Sequence, residues 1–319
     1  MYIVTGGAGF IGANLVAALN RRGDTNILVV DDLKQGDKFL NLRDLVIADY
    51  MDLSEFREHV RSGRLRNTRI RGIFHQGACS DTMEYDGRYM MDNNYTCSKE
   101  LFHFAMEQNT PFIYASSAAT YGGSRIFTEH PDNEKPLNVY GYSKLLFDRY
   151  VQHQLQLTRC TAPVAGLRYF NVYGPREEHK GRMASMIHQM HQHILTGGVV
   201  KLFSGSGGYG DGEQRRDFIY VEDVVKVNLF LSDSGSVQGI FNVGTGASRS
   251  FNDVARTLIA GLGRGEIRYV PMPEVLREKY QSFTQADVSR LRAVGYDAPF
   301  HTLEEGIGGF VAARERAGS

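Results

Sequence analysis

The chain of 319 residues carries 36 lysines and arginines against 36 aspartates and glutamates, and 42% of its residues are hydrophobic. A net charge of zero argues against nucleic acid and against an anionic membrane surface as partners, because both require a basic face. The 3 cysteines are too few for a disulfide framework and no basic leader is present, so we expect a cytoplasmic protein. No run reaches the roughly 18 apolar residues that a membrane helix needs.

The first half of the chain alternates short apolar runs with longer segments of helical spacing. We expect strands at Tyr2–Thr5, Ile27–Asp31, Leu45–Ala48, Gly72–His75, Phe112–Ala115 and Val164–Tyr169. Between them, apolar residues have helical spacing over Ile11–Arg22, Leu53–Ser62, Asn94–Gln108 and Tyr140–Gln154. This alternation predicts an α/β fold with a Rossmann-type, doubly wound parallel sheet and helices on both faces.

The second half is less regular. We expect helices at Arg182–Leu195 and Phe251–Leu262, and a strand at Ile267–Val270. The glycine-rich segment 204–214 is typical of a mobile surface loop. We expect residues 1–168 to form a dinucleotide-binding domain and residues 169–319 mainly a smaller substrate-binding domain, with segments near 217–237 and 283–296 packing back onto the first.

Three histidines lie close together in the first of these helices. His188, His191 and His193 lack the i, i+4 spacing of a zinc-binding pair, so we predict no metal site. We expect them to occupy the polar face of the helix.

A glycine-rich loop follows the first predicted strand. Gly6, Gly9 and Gly12 form a G-x-x-G-x-x-G series that opens a helix. Glycine lets the backbone approach a pyrophosphate, and the helix N-terminus supplies N–H groups and the positive end of the helix dipole. The series, together with the acidic pair some 20 residues later, therefore predicts dinucleotide binding.

The charged residues after the second strand leave the choice of dinucleotide open. Asp31 and Asp32 favour NAD, because a carboxylate there accepts the ribose 2′-hydroxyl and repels a 2′-phosphate. Lys34 and Lys38 follow in the same loop and could neutralise the 2′-phosphate of NADP.

A tyrosine and a lysine one helical turn apart predict redox chemistry. Tyr140 and Lys144 are at i and i+4, so they lie on one face of a helix. A free tyrosine has a pKa near ~10 and is a poor base, whereas a cation one turn away favours the phenolate. Ser117, at the end of a predicted strand, can hydrogen-bond the same substrate oxygen.

Together these motifs resemble the extended short-chain dehydrogenase/reductases that act on nucleotide sugars, and more narrowly the ADP-glyceromanno-heptose 6-epimerases. The matching stretches are TGGAGFIG (Thr5–Gly12), IADYMD (Ile47–Asp52), MMDNNY (Met90–Tyr95), YASSAATYGG (Tyr114–Gly123), PLNVYGYSK (Pro136–Lys144), RYFNVYGPRE (Arg168–Glu177), HKG (His179–Gly181), RRDFIYVEDV (Arg215–Val224) and FTQAD (Phe283–Asp287). They are spread along nearly the whole chain.

The resemblance implies epimerisation at C6″ of ADP-D-glycero-β-D-manno-heptose, by transient oxidation to a 6″-ketone and return of the hydride from bound NADP. It implies a homo-oligomer that supplies the inner-core heptose of lipopolysaccharide. It also assigns the catalytic roles to Tyr140, Lys180, Ser117 and Lys144. Two acid/base groups are needed because a single group cannot reach the oxygen in both orientations of the sugar.

The resemblance also implies binding residues. For NADP they are Gly6, Gly9, Phe10, Ile11, Gly12, Asp31, Asp32, Lys38, Gln76, Gly77, Ala78, Cys79, Ser80, Asn93, Lys144, Val172 and Lys180. For the ADP-sugar they are Ser117, Asn171, Arg182, Gln189, Phe203, Ser204, Gly205, Ser206, Arg216 and Tyr280. Leu53 stands where the family has a second lysine for NADP, which keeps NAD as an alternative. Arg182 and Gln189 replace a serine and a histidine.

Other functions on the same scaffold stay open. Another nucleotide-sugar epimerase or a reductase would use the same glycine loop and the same Tyr140 and Lys144. A 4,6-dehydratase needs an acid/base pair after the active-site serine, and Ser117 is followed by Ala118 and Ala119. A non-catalytic NAD(P)-binding sensor would have no use for the complete catalytic set.

Overall fold

A seven-stranded parallel sheet forms the centre of the computed structural model, which describes residues 1–274 and 281–318. The strands are β1 (Tyr2–Thr5), β2 (Ile27–Asp31), β3 (Asp49–Asp52), β4 (Gly72–His75), β5 (Phe112–Ser117), β6 (Val164–Tyr169), β7 (Asn171–Tyr173), β8 (Val199–Phe203), β9 (Arg215–Arg216), β10 (Phe218–Tyr220), β11 (Gln238–Val243), β12 (Arg249–Ser250) and β13 (Glu266–Val270). The order in the sheet is β11-β6-β5-β4-β1-β2-β3, with every neighbouring pair parallel. The predicted α/β, Rossmann-type fold is confirmed.

Helices cover both faces of this sheet. The helices of the described residues, including those that pack away from this sheet, are α1 (Phe10–Arg21), α2 (Leu53–Arg61), α3 (Gly87–Met90), α4 (Cys97–Glu107), α5 (Val139–Leu157), α6 (Met186–Gly197), α7 (Val221–Ser232), α8 (Phe251–Leu262), α9 (Ser289–Ala293) and α10 (Leu303–Gly318). A π-helical turn, Met91–Thr96, joins α3 to α4, and a 3₁₀ segment spans Glu178–Met183. None of the helices in the described ranges has the length and apolar character that crossing a bilayer requires.

The inner strands of the sheet are mainly apolar on both faces because each face packs against helices. Val4 of β1 packs in one core with Leu15 of α1. Its neighbour Ile3 packs in the opposite core with Phe102 of α4. Successive residues of a strand thus bury into two separate layers, which is the pattern of a doubly wound sheet.

A third core lies among the second-half elements α6, α8 and α10 and the parallel pair β8–β13. From the same half of the chain, β11 completes the main sheet beside β6, and α7 packs against α1. The division of the chain at residue 168 into two domains stays a prediction.

Three predicted elements begin three or more residues away from where they begin in the structure. The predicted strand Leu45–Ala48 is wrong, because the strand is Asp49–Asp52 and the preceding residues Leu45 and Ile47 only pack against the core. The helix predicted from Asn94 is preceded by α3 and the π-helical turn. The helix predicted from Arg182 begins at Met186, because the hydroxyl of Ser185 caps it by accepting the His188 N–H at 3.1 Å.

The expectation that His188, His191 and His193 form a polar face is also wrong. His193 is exposed, but His188 and His191 are buried. Their rings pack edge-on against Phe310, with centroids 6.4 and 5.2 Å away. The cause is α10, which covers this side of α6 and is distant in sequence.

Candidate active site

The crevice at the carboxyl edge of the sheet lies between β1 and β4, where the strand order reverses. The loops that leave these two strands touch each other there. A Cβ atom on Gly6 would lie 2.6 Å from the backbone nitrogen of Gly77, and a Cβ on Gly12 would collide with the carbonyl oxygen of Gly6. Only glycine fits at these two positions, so the loop offers a bare backbone surface of the kind that a pyrophosphate approaches.

The helix α1 starts at this loop, with Gly9 as its N-cap and Phe10 and Ile11 in its first turn. The N–H groups of a first helical turn have no partner within the helix and carry the positive end of its dipole. This end of α1 therefore has the chemistry to hold an anionic diphosphate.

The acidic pair after β2 is closely tied to Lys38. Asp31 accepts the N–H of Ala8 at 2.8 Å and the Lys38 ammonium at 2.8 Å, and Lys38 also reaches the Asp32 carboxylate at 3.1 Å. Burial lowers the pKa of Lys38, but the two carboxylates outweigh it and raise the pKa overall. Because Lys34 lies 3.8 Å from Asp32, two lysines balance the two aspartates.

The loop after β4, which holds Gln76–Ser80, is fastened by an asparagine that the sequence analysis missed. Buried Asn94 accepts the N–H of Cys79 at 2.8 Å and donates to the Cys79 carbonyl at 2.9 Å and the Ser143 hydroxyl at 3.2 Å. The predicted Asn93 is half-buried beside it. Burial raises the pKa of the Cys79 thiol, so this cysteine is no thiolate nucleophile at neutral pH.

The predicted tyrosine, serine and lysine come together between β5 and α5. Tyr140 lies in the first turn of α5, beside Ser117, the last residue of β5. Burial raises the pKa of Tyr140, and the neighbouring Ser117 hydroxyl opposes that rise. One turn later, Lys144 donates to the Ala115 carbonyl at 2.9 Å, and its burial lowers its pKa to about 8.

A second residue that the sequence analysis missed lies one turn beyond Lys144. Asp148 is fully buried and accepts hydrogen bonds from the Tyr114 hydroxyl at 3.0 Å, the Ser116 hydroxyl at 2.9 Å and Arg168 Nε at 2.9 Å. Its position at i+4 from Lys144 was visible in the sequence, but the partners were not. Lys144 and Asp148 together fasten α5 to three successive residues of β5, which sets the position of Ser117 against Tyr140.

Lys180 lies in the 3₁₀ segment after β7, next to the glycine loop. Its ammonium is 5.7 Å from the centroid of the Phe10 ring, a cation–π distance. Burial lowers the pKa of Lys180, and the Glu177 carboxylate opposes this. The adjacent His179 contacts Asn41 at 3.1 Å, and burial, with nearby Lys38 and Lys180, lowers the pKa of His179 to about 4, so it is neutral at pH 7.

The predicted ADP-sugar residues fall into two groups. In the first, Asn171 is on β7, which pairs with β10 just after Arg216, and the predicted NADP residue Val172 follows Asn171 on the same strand. Gln214 donates to the Ser204 carbonyl at 3.2 Å and the Ser206 hydroxyl at 3.1 Å, which ties the stretch Phe203–Ser206 to the same region. The guanidinium of Arg216 lies 5.9 Å from the centroid of the Phe251 ring.

The second group adjoins Lys180. Arg182 is exposed and forms a 2.9 Å ion pair with Asp81, which follows the loop after β4. The amide of Gln189 donates to the carbonyls of Arg182 at 3.2 Å and Ala184 at 2.8 Å, so it stabilises the end of the turn. The remaining predicted substrate residue, Tyr280, lies outside the described residues.

The segment 204–214 is closed by hydrogen bonds. Gly205 donates to Asp211 at 2.7 Å, and Asn252 of α8 donates to the Asp211 carbonyl at 2.8 Å. Gln214 at its end is buried. The mobility of this loop stays a prediction.

Comparisons with known proteins cover nearly the whole chain. A model of the NAD dependent epimerase/dehydratase family matches residues 2–244. An ADP-L-glycero-D-manno-heptose-6-epimerase of Alkalilimnicola ehrlichii is 54% identical to this chain over 98% of its length and 97% of the relative's.

Solved structures agree with that match. The ADP-L-glycero-D-manno-heptose-6-epimerase of Helicobacter pylori has a TM-score of 0.83 at 31% identity, covering 98% of this chain and 95% of that one. A UDP-glucose 4-epimerase of Thermus thermophilus in complex with NAD has a TM-score of 0.79 at 27% identity, with 99% of each chain covered.

Proposed function

This chain belongs to the NAD dependent epimerase/dehydratase family, and we propose that it converts ADP-D-glycero-β-D-manno-heptose to ADP-L-glycero-β-D-manno-heptose by inverting C6″. The observation that carries the proposal is the pairing of two proton-transfer groups on separate elements near one crevice. Tyr140 is mounted on α5 beside Ser117, and Lys180 is on the turn beside Phe10. The product is the heptose form required for the lipopolysaccharide inner core.

The redox chemistry belongs to a nicotinamide cofactor. NAD(P), when bound, supplies a hydride acceptor for C6″ and then a hydride donor to the same carbon. The glycine loop fits such a dinucleotide, because a side chain at Gly6 or Gly12 would fill the space where a diphosphate must approach. Phe10, Ile11 and residues 76–80 would line the same crevice.

The proton transfers belong to Tyr140 and Lys180. In our proposal Tyr140 takes the proton of the C6″ hydroxyl while C6″ is oxidised, and Ser117 hydrogen-bonds that oxygen. After the ketone has turned its other face, Lys180 donates a proton to the same oxygen while C6″ is reduced. The reverse reaction exchanges these roles. The ammonium of Lys144 favours the tyrosine phenolate, which makes Tyr140 a usable base.

Lysine acid/base chemistry near neutral pH needs a pKa below the usual value. Burial provides this for Lys180, because a desolvated ammonium loses its proton more readily. The lowered pKa of Lys180 therefore supports a role in proton exchange rather than a purely structural charge.

For the ADP-sugar, we assign the diphosphate to Arg216, since a planar guanidinium can bind it in a bidentate manner. Asn171, Arg182, Gln189 and residues 203–206 would complete the substrate site. The protein is proposed to act in the cytoplasm as a homo-oligomer.

We propose NADP as the cofactor, with Lys38 as the partner of the 2′-phosphate. The support is that Lys38 and Lys34 balance both aspartates, which removes the repulsion that Asp31 and Asp32 would otherwise exert. NAD is the alternative. Titration of the Lys38→Ala variant with each dinucleotide tests this: NADP should bind about tenfold more weakly and NAD little changed. Equal weakening of both would contradict the assignment.

The function is tested by incubating purified protein with ADP-D-glycero-β-D-manno-heptose without added cofactor and resolving the C6″ epimers by chromatography. An equilibrium mixture would establish the substrate, the epimerisation and a resident cofactor together. No change, even after NADP and NAD are added in turn, would contradict the proposal and point to another nucleotide sugar.

A further inference from the structure

The turn that carries Lys180 is closed by a single buried carboxylate. Glu177 has no exposed surface. It accepts the N–H of Gly174 at 3.3 Å, the N–H of Ser185 at 2.6 Å and the Ser185 hydroxyl at 2.8 Å. Gly174 precedes the Lys180 turn and Ser185 follows it, so one side chain holds both ends of the segment.

This segment does not follow regular backbone geometry. Arg176, the residue before Glu177, has a φ of 75°, in the left-handed region that residues with a side chain rarely adopt. Its guanidinium is anchored outside the turn, to the Asn41 carbonyl at 2.7 Å and to Asp44 at 2.6 Å. A strained backbone persists only where its surroundings fix it, and such sites cluster where function requires a defined geometry.

The charges that face Glu177 come from three elements. They are Lys180 on the turn itself, His188 on α6 and Arg314 on α10. Burial lowers the pKa of each of these groups, and the Glu177 carboxylate opposes the shift in every case. The three hydrogen-bond donors named above are uncharged, so the negative charge of Glu177 acts on the cations Lys180 and Arg314 and on the His188 ring, whose lowered pKa leaves it neutral at pH 7.

We propose that Glu177 is the positioning residue of Lys180: its carboxylate fastens the two ends of the Lys180 turn and supplies the negative charge that balances the Lys180 ammonium. This inference rests on the proposed function, in which Lys180 exchanges a proton with the C6″ oxygen. Glu177 acts through Lys180 and is not itself a group that touches the sugar.

The Glu177→Gln substitution separates charge from shape. An amide keeps the size of the side chain but has one acceptor oxygen, so at least one of the two backbone N–H groups loses its partner. We expect the pKa of Lys180 to fall by about one pH unit, because an opposite charge has been removed. We expect kcat to fall about tenfold or more, with little change in KM for the ADP-heptose, because Lys180 is misplaced.

The pKa of Lys180 can be measured without turnover. Competitive labelling of lysines with acetic anhydride across a pH series, followed by mass spectrometry of the peptides, reports the titration of each lysine. Exposed Lys34 serves as the internal reference. The matched control is Glu178→Gln, the same change one residue along, because Glu178 is half-exposed and pairs with Arg314. It should leave the titration of Lys180 and kcat unchanged.

The conservative variant Glu177→Asp restores the charge but shortens the reach. It should lower kcat while the titration of Lys180 stays close to that of the unsubstituted protein. Circular dichroism and NADP binding show whether Glu177→Gln folds. If it does not, Glu177→Asp still tests whether the Glu177 side chain must reach both ends of the Lys180 turn. A wild-type kcat for Glu177→Asp would overturn that claim.

Two results distinguish the inference from the proposed function. If Lys180→Ala retains activity near wild type, the proton-transfer role of Lys180 fails and the inference fails with it. If Lys180→Ala is inactive but Glu177→Gln leaves both kcat and the Lys180 titration unchanged, only the role of Glu177 is overturned.

Discussion

The two proposed proton-transfer groups are held in different ways. Tyr140 lies on a 19-residue helix, with Lys144 one turn away and α5 fastened to β5. Lys180 lies on a short 3₁₀ segment whose shape depends on Glu177 and on a strained Arg176. Helical spacing can be read from a sequence, whereas a turn held by tertiary hydrogen bonds cannot.

The two regions nevertheless share one device. Each has a lysine with a lowered pKa and a fully buried carboxylate three or four residues away, Asp148 for Lys144 and Glu177 for Lys180. The two carboxylates differ in the groups that pair with them. Asp148 is paired directly with Arg168 at 2.9 Å, while Glu177 is hydrogen-bonded to backbone and hydroxyl groups. We therefore expect the Tyr140 region to contribute more to stability, and the Lys180 turn to matter mainly for activity.

The largest effect is expected from Tyr140→Phe, which removes the hydroxyl but keeps the ring. Loss of a general acid/base lowers kcat by about 10³-fold or more, because no neighbour can replace the phenol. Binding of NADP, measured by fluorescence titration, should be retained. A variant that keeps a tenth of the wild-type kcat would contradict the role of Tyr140.

Asp148→Asn should destabilise the protein by about 1.5–3 kcal/mol, because the buried Arg168 loses the charged partner of its Nε and keeps only its ion pair with Glu134. Urea unfolding followed by circular dichroism measures this free energy. The control is Arg149→Gln, which removes a half-exposed guanidinium from Glu134 but leaves Glu134 paired with Arg168, and it should cost less than about 1 kcal/mol. Equal costs for the two variants would remove the proposed contrast between the regions.

Lys180→Ala should lower kcat by about 10²-fold, with a smaller change in the free energy of unfolding than Asp148→Asn. The lysine is partly exposed at the crevice, so its removal leaves no large cavity. Parallel kinetic and urea-unfolding measurements on the two variants test this. If Lys180→Ala is inactive only because it unfolds, its free energy of unfolding should fall more than that of Asp148→Asn, which would contradict the prediction.

The smallest effect is a pH dependence from Lys144, whose pKa is about 8 in the folded protein. Activity should fall as pH rises through about 8, up to about tenfold per pH unit, because the ammonium that favours the Tyr140 phenolate is lost. The free energy of unfolding should rise with pH over the same range. Burying the charged lysine costs free energy at low pH, and this cost disappears between the folded pKa and the higher unfolded one.

Both trends can be measured from one pH series of rates and urea midpoints. The unfolding comparison should use Lys144→Met, so that the contribution of Lys144 is separated from that of other titrating groups. Above pH 8, the free energy of unfolding of the unsubstituted protein should rise relative to that of Lys144→Met. If it does not, Lys144 is not a buried cation at lower pH.

The sequence allowed the sheet and the Tyr140 region to be predicted because both follow regular spacing. The buried strands read as apolar runs, and Tyr140 and Lys144 follow the i, i+4 rule. The edge strand was misplaced because Asp49–Asp52 is half-exposed and polar, so the apolar residues before it were taken for the strand. An apolar run therefore locates a buried strand, but it does not locate an edge strand whose residues are half-exposed.

The missed residues depend on contacts that are distant in sequence. Asn94 is buried and Asn93 only half-buried in a π-helical turn, whose residue spacing differs from that of an α-helix. His188 was expected on a polar helix face because α10, which covers α6, is distant in sequence. Glu177 carries no local signal of its role, since its donors Gly174 and Ser185 meet it only in the folded turn.

The central claim is that C6″ is oxidised and then reduced by the same hydride, with Tyr140 and Lys180 moving the protons. The most direct test uses ADP-D-glycero-β-D-manno-heptose with deuterium at C6″, mixed with unlabelled substrate and followed by NMR and mass spectrometry. The account predicts that deuterium stays at C6″ of the L-glycero product, in the molecule that carried it. Replacement of the deuterium by solvent hydrogen would contradict the account, because it would mean that C6″ loses a proton instead of a hydride.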